Sequence, residues 1–246
     1  MKIFFNIGRY FLLLNKVFSK PEKAVIYRNR FFQEVNMLGI GSLGIVSIIS
    51  VFIGAVITIQ AAFGFQSPWI PLYAVGLATR DSIVLEFSPA IVSLILAGKV
   101  GSNIAGEIGT MRVTEQIDAM EIMGVNSAAY LILPKILGFM FILPFLTVIS
   151  MFLAMIGGLV FGVFTNAVTA HQYMVGIQYD FRPYNVFYAL VKVVVFAFII
   201  TSISAYHGYY TKGGALEVGR SSTKAVVYSS ITLLFFDLLL TQLLLA

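Results

Sequence analysis

An all-α integral membrane protein with five spans is the fold class this sequence predicts, and three observations predict it. Of its 246 residues 59% are hydrophobic and only 11% charged, where a soluble domain carries roughly 25% charged residues. Two runs, Val35 to Thr79 and Ile136 to Tyr179, hold no Asp, Glu, Lys or Arg, and each far exceeds the ~20 residues that cross a bilayer core. The mean hydropathy is +0.93. The charges that remain fall asymmetrically along the chain, and that asymmetry orders the elements.

The first thirty residues hold Lys2, Arg9, Lys16, Lys20, Lys23, Arg28 and Arg30, interleaved with Phe4, Phe5, Tyr10, Phe11, Leu12, Leu13 and Leu14. Residues 1–33 read as a basic helix lying in the plane of the cytoplasmic leaflet. A solvated basic tail is the other reading, and the apolar content argues against it. Asn6, Arg9, Asn15 and Lys16 interrupt the apolar run, so a signal peptide is not expected. Residues 37–246 then form a five-span bundle, in a single domain covering 1–246.

The first span is expected from Met37 to Ala62. Phe63 to Thr79, with Pro68, Trp69 and Pro71, reads as an outer loop carrying an interfacial aromatic. The second span runs from Ser82 to Ile104 and the third from Tyr130 to Thr165, with Pro144 as a kink. A short outer segment holds His171, Asp180 and Arg182. The fourth span covers Pro183 to Tyr206, a Gly- and Lys-rich loop His207 to Lys224, and the fifth span Ala225 to the end. This arrangement leaves Arg80 and Arg182 outside. It collects the N-terminal seven with Lys99, Arg112, Lys135, Lys212, Arg220 and Lys224 inside, with the N-terminus in and the C-terminus out. A tight hairpin hidden in the second uncharged run would put Lys212, Arg220 and Lys224 outside and destroy the asymmetry.

Three charges interrupt the spans. Glu86 lies about four residues into the second; Lys192 and Asp237 lie in the fourth and fifth. Counted from Pro183 and from Ala246, Lys192 and Asp237 each sit ~14 Å below the outer surface at ~1.5 Å per residue. An ion pair between Lys192 and Asp237, with Glu86 close by, is expected. A charge in a span costs at least ~2.5 kcal/mol, so it faces protein or a wet cavity. The three side chains either fix helix packing or line a substrate cavity.

Ala97, Gly101, Ala105 and Gly109 recur every fourth residue, a ridge of small side chains that lets helices approach closely in lipid. A homodimer seam is one use of such a ridge. Val113 to Met123 reads as a short amphipathic helix, capped by Thr110 or Thr114 and ended by Gly124. Val113, Ile117 and Met120 share one face; Glu115, Asp118 and Glu121 share another. Such a helix could rest on the membrane, but its carboxylates disfavour an anionic leaflet and favour a soluble partner.

Several chemistries are excluded. The chain has no cysteine, so it has no disulfide or zinc–thiolate site. His171 and His207 are isolated, and no metal or catalytic constellation stands out. Gly39, Gly41 and Gly44 spell a dinucleotide pattern inside an apolar span, without the strand it requires. Gly214 to Ser221 nearly spells a phosphate loop, but Arg220 stands where lysine is needed. No ATP site and no nucleic-acid surface is expected in this chain.

The stretch LAGKVGSNIAGEIGTMRVTEQIDAMEIMGV, Leu96 to Val125, resembles the signature of the MlaE family, permease subunits of ABC lipid transporters that work with MCE proteins. The resemblance extends to the basic N-terminal helix, to Glu86-Phe87-Ser88-Pro89, to Lys192 within LVKVVVF, and to Ser229 with Asp237. Where the family commonly reads Arg-Glu-Leu-Gly-Pro, this chain has Leu85-Glu86-Phe87-Ser88-Pro89. The missing arginine makes Lys192 the counter-charge for Glu86.

The resemblance implies a homodimer in the inner membrane of a double-membraned bacterium, N-terminus cytoplasmic and C-terminus periplasmic. It implies a separate ABC ATPase that binds the ATP and docks on the cytoplasmic coupling helix between spans two and three, at Thr114, Glu115, Asp118 and Glu121. It further implies an MCE-protein ring outside, a small STAS-type regulator, and phospholipid as substrate. From their charge and depth, Glu86, Lys192 and Asp237 are the residues expected to line its site. A sterol or other apolar lipid is the alternative substrate. A passive membrane anchor for a soluble complex is the alternative role.

Overall fold

A helix in lipid must satisfy its backbone internally and turn apolar side chains outward, and the computed structural model is built on that rule. It describes residues 2–19, 24–65, 69 and 71–245. Lys20, Lys23, Pro68 and Ala246, which the sequence reading used, lie outside the described residues. The described residues form eight helices and no strand: α1 (Lys2–Phe18), α2 (Tyr27–Gly64), α3 (Tyr73–Val113), α4 (Gln116–Ile122), α5 (Ser127–Phe164), α6 (Ala170–Gln178), α7 (Pro183–Tyr209) and α8 (Ala215–Leu245). Five of them, α2, α3, α5, α7 and α8, are long and apolar enough to cross a membrane.

The surface of α2 shows the pattern residue by residue. Ile45, Ile48, Phe52, Val56, Ile59 and Phe63 are exposed, spaced three or four apart along one side, where lipid is their solvent. Val46, Ser50, Gly54, Ile57 and Thr58 are buried on the other. A Cβ at Gly54 would collide with the Ala154 backbone, and one at Gly157 with the Val51 backbone. Only glycine admits this contact between α2 and α5. Ser50 Oγ donates to Ser150 Oγ at 2.8 Å, and Ser150 Oγ to Ser88 Oγ at 3.2 Å. These bonds tie α2, α5 and α3 together where no water competes.

The packing divides into two units. One holds residues 1–41, 94–143 and 194–246; the other holds 42–93 and 144–193. The first contains α1, α4 and α8. The second contains α6 and the two segments, of α3 and α7, that carry Glu86 and Lys192. A buried cluster of Ile57, Ile83, Val84, Met151, Ala154 and Ala189 packs the second unit.

Several boundaries differ from the sequence reading. The interfacial helix is the 17 residues of α1 and not 1–33, because residues 27–33 already belong to α2. The second spanning helix starts at Tyr73, nine residues earlier than expected, and runs on to Val113. Its start was hidden by Arg80 and Asp81, which looked like a loop. Arg80 is buried; its guanidinium pairs with Asp81 at 2.8 Å and donates to the carbonyls of Ile177 and Tyr179. Neutralised in this way, it holds α6 against α3. The loop expected over His207 to Lys224 shrinks to five residues, 210–214, turned by Gly213 at φ 113°. Arg220 and Lys224 therefore stand on α8. Helix α5 runs unbroken through Pro144, which is tolerated in spans where neighbours satisfy the freed carbonyl.

Candidate substrate site and partner-docking helix

Glu86 sits in a widened stretch of α3, where residues Ile83–Ile91 adopt π-helical turns around Pro89. Proline has no N–H and its ring crowds the carbonyl four residues back, so the ladder opens there. Across from it, α7 presents Lys192, fully buried. Its Nζ donates to both carboxylate oxygens of Glu86 at 3.1 Å and to the Tyr188 hydroxyl at 3.0 Å. The ring of Tyr188, one turn earlier on α7, lies 5.0 Å from the same ammonium. The pair is asymmetric: the lysine side chain is 0% exposed and that of Glu86 is 41% exposed. The buried cation anchors a carboxylate that remains accessible. Glu86 and Lys192 thus pair as expected from the absent arginine at Leu85. Asp237 stands on α8, half-buried, in the other unit, with its carbonyl accepting from the Thr241 hydroxyl at 2.8 Å.

The ridge of small residues packs inside the chain. Ala97 and Ala105 are fully buried. A Cβ at Gly101 would stand 2.9 Å from Ser204 Oγ, and one at Gly109 would stand 3.2 Å from Val218. The ridge therefore seats α7 and α8 against α3. Gly39, from the apparent dinucleotide pattern, abuts Ile142 of α5, which is helix packing.

The helix expected at Val113 to Met123 is shorter. α3 continues to Val113, Thr114 Oγ1 donates back to the Thr110 carbonyl at 2.9 Å, and Glu115 turns the chain at φ 61°. α4 follows, with Ile117 buried, and Gly124 at φ 80° ends it as expected. Neither threonine caps α4; Glu115 occupies the cap position without a side-chain bond.

Its three carboxylates differ. Glu115 is exposed. Asp118 pairs with Arg112 at 2.6 Å. Glu121 Oε1 accepts from Lys16 Nζ at 2.7 Å, from the Tyr209 hydroxyl at 2.8 Å and from the Ser127 hydroxyl at 3.0 Å. The Lys16 bond leads in holding the Glu121 carboxyl down to about 2, against partial burial. Burial lowers the Lys16 ammonium, but its bond to Glu121 and the nearby anionic charge outweigh that and raise it. The Asn126 amide adds two bonds to the carbonyls of Lys16 and Ser19, at 2.9 and 2.8 Å. Glu121 therefore belongs to a latch that seats α1, a role the sequence reading missed. At the far end of α4 two large apolar side chains are exposed, Ile122 at 87% and Met123 at 70%.

One buried cluster was also missed. Lys135 of α5 is 1% exposed and donates to Glu34 of α2 and Glu107 of α3, each at 2.7 Å. Lys99 reaches from α3 to the carbonyl of Gly41. Among the described residues no group of His, Cys, Asp and Glu could hold a metal ion.

The family model described as Permease MlaE matches residues 31–243. The chain belongs to the MlaE permease family. A probable ABC transporter permease protein of Rickettsia bellii is 34% identical over 97% of this permease and 92% of its own length. One of Synechocystis is 35% identical over 95% and 88%. The chloroplast protein TRIGALACTOSYLDIACYLGLYCEROL 1 of Arabidopsis thaliana is 32% identical over 94% of this permease and 66% of its own length. This MlaE-family chain is a multi-pass membrane permease of the ABC transporter class, a class that works with an ATPase.

Proposed function

We propose that this permease moves phospholipid between the bacterial inner membrane and an MCE-protein ring, driven by ATP hydrolysis in a partner subunit. The observation that carries this reading is the Glu86–Lys192 pair: a fully buried cation holding an accessible carboxylate beside a π-widened turn. Charges in a span mark transport paths, and π turns recur at functional sites. Glu86 offers a fixed anion to the polar head of a lipid, while apolar helix faces accept the tails. A plant relative named for a galactolipid supports a lipid over another apolar cargo.

The working unit is a homodimer in the inner membrane, N-terminus cytoplasmic and C-terminus periplasmic, with a small STAS-type regulator associated. The ATPase docks on α4. Thr114 and Glu115 lie at its start and Asp118 on its flank, and Ile122 and Met123 supply the apolar contact. Glu121 acts there indirectly, by holding α1 beside the helix. ATP is bound by the partner, and this chain carries no cofactor.

Reconstitution of the permease with its ATPase and MCE partner tests the proposal. ATP-dependent delivery of labelled phospholipid to the MCE protein is expected, with phospholipid as the copurifying species by mass spectrometry. Copurified sterol with no phospholipid would overturn the substrate. A complex that hydrolyses ATP and moves no lipid would leave the chain a membrane anchor.

A further inference from the structure

The first unit contains a cavity of about 840 Å³ between α1, α7 and α8, with neither Glu86 nor Lys192 in its lining. Its charged lining is of one sign: Arg9 from α1 and Lys224 from α8, with no carboxylate among the lining residues. Neither cation makes an ion pair among the described residues. The Arg9 guanidinium lies over the Tyr210 ring, its carbon 3.6 Å from the centroid, which fixes it without neutralising it. Tyr228 stacks on His207 at 5.2 Å beside it. The rest of the wall includes apolar side chains, with Leu14 of α1 and Val195, Phe198 and Ile199 of α7, about two to four turns before His207 along the helix. Phe11 and Tyr228 stand at the rim, 63% and 55% exposed.

We propose that this cavity seats an acidic phospholipid of the leaflet on which α1 lies, its phosphate between Arg9 and Lys224 and an acyl chain along the apolar wall. Three features point to that occupant. Two uncompensated cations select an anion. The apolar wall continues from them, so a free phosphate would leave it unfilled. The volume falls within the ~300–1,000 Å³ of ligand pockets. α1 itself is an interfacial helix by composition: its Phe4, Phe5 and Leu12 are exposed, and its C-terminal end is latched to Glu121 and Asn126. The lipid would pin the middle of α1 to α7 and α8, next to the bond from Tyr10 to Ser202 at 2.8 Å. None of Glu86, Lys192 and Asp237 lines this cavity, and the proposal stands whether or not the chain transports lipid.

The test is photo-crosslinking in nanodiscs of phosphatidylcholine doped with labelled phosphatidylglycerol or with labelled phosphatidylcholine. A benzophenone amino acid replaces Phe11 at the rim, and Phe52 on the exposed side of α2 as control. At position 11 phosphatidylglycerol adducts should exceed phosphatidylcholine adducts on the order of tenfold, from two cations near the head group. At position 52 the two should be equal. Arg9→Gln with Lys224→Gln should bring position 11 to parity, in a permease that still elutes as folded protein. Equal capture of both lipids at position 11 overturns the proposal, as does the same preference at position 52. Adducts to a second copy of the chain would assign the cavity to the dimer interface and also overturn it. If the double variant fails to fold, the comparison of positions 11 and 52 in otherwise unaltered protein decides alone.

Discussion

Two lysines are buried to the same extent in this permease and serve their surroundings differently. Lys135 is 1% exposed and lies between two carboxylates, Glu34 and Glu107. Lys192 is 0% exposed and holds Glu86, whose side chain is 41% exposed. Around Lys135 the acidic partner Glu34 is itself nearly enclosed, and its second oxygen is buried without a hydrogen-bond partner among the described residues. Glu107 is 38% exposed, much as Glu86 is, so the difference lies in the enclosed Glu34, and the cluster joins α2, α3 and α5. Around Lys192 the carboxylate opens outward. A buried ion pair is weak evidence for stability in itself. A second, enclosed carboxylate, Glu34 on Lys135, is what separates the clamp from the candidate site at Glu86.

The largest expected effect is the loss of Lys135. Lys135→Met leaves Glu34 and Glu107 facing each other without the cation, and breaking such a buried pair costs about 3–5 kcal/mol. Lys192→Met leaves one half-exposed carboxylate, and roughly 1–3 kcal/mol is expected for the unsatisfied group. Thermal melts of the two purified variants in detergent check the order. Equal melting points would mean that the exposure of Glu86 makes no difference to its cost.

The second effect sharpens the comparison by removing whole clusters. Lys135→Met with Glu34→Leu and Glu107→Gln should restore most of the stability, because replacing a buried pair by apolar groups is often neutral. Lipid delivery should then return with it. Lys192→Met with Glu86→Leu should fold equally well and still deliver lipid poorly. Wild-type delivery from that double variant would reduce Glu86 and Lys192 to a packing device.

The two lysines also show what was legible in the sequence. Lys192 stands alone in a long apolar run, so its burial could be read directly. Depth along the spans pointed to Asp237 as its partner and one departure, Leu85 where an arginine is common, pointed to Glu86, which Lys192 meets at 3.1 Å. Lys135 sits next to Pro134 near the start of a span and reads as a boundary cation. Glu34 was placed before the first span, which begins earlier than hydropathy suggested. Arg80 misled for the same reason: hydropathy counts its charge but cannot see two carbonyls of α6 and Asp81 receiving it. The five spans were legible because the apolar runs are long, and the small ridge because its period matches a helix. The α1 latch was not. Asn126 reaches carbonyls more than a hundred residues away in sequence, and no local pattern encodes such a contact.

The smallest expected effect belongs to a third lysine pair, the exposed counterpart of the other two. Lys16 and Glu121 meet at 2.7 Å with side chains 46% and 40% exposed, and exposed pairs contribute about 0–1 kcal/mol. Their pH dependence still has a definite sign. The folded Glu121 carboxyl sits at about 2, below its ordinary 4.5, so its contribution is present above about 4.5 and lost as pH falls toward about 2. The folded Lys16 ammonium is raised from 10.5, so its contribution is present below that value and lost as pH rises through the raised one. Between those limits the latch should be constant. A spin label at position 12 of α1 should show unchanged mobility from about pH 5 to pH 10 and loosen below about pH 4. Glu121→Gln should loosen it modestly at neutral pH and remove most of the acid step, since Asn126 still holds the carbonyls of Lys16 and Ser19. An acid step of undiminished size in that variant would show that another group titrates, and the latch would then owe little to Glu121.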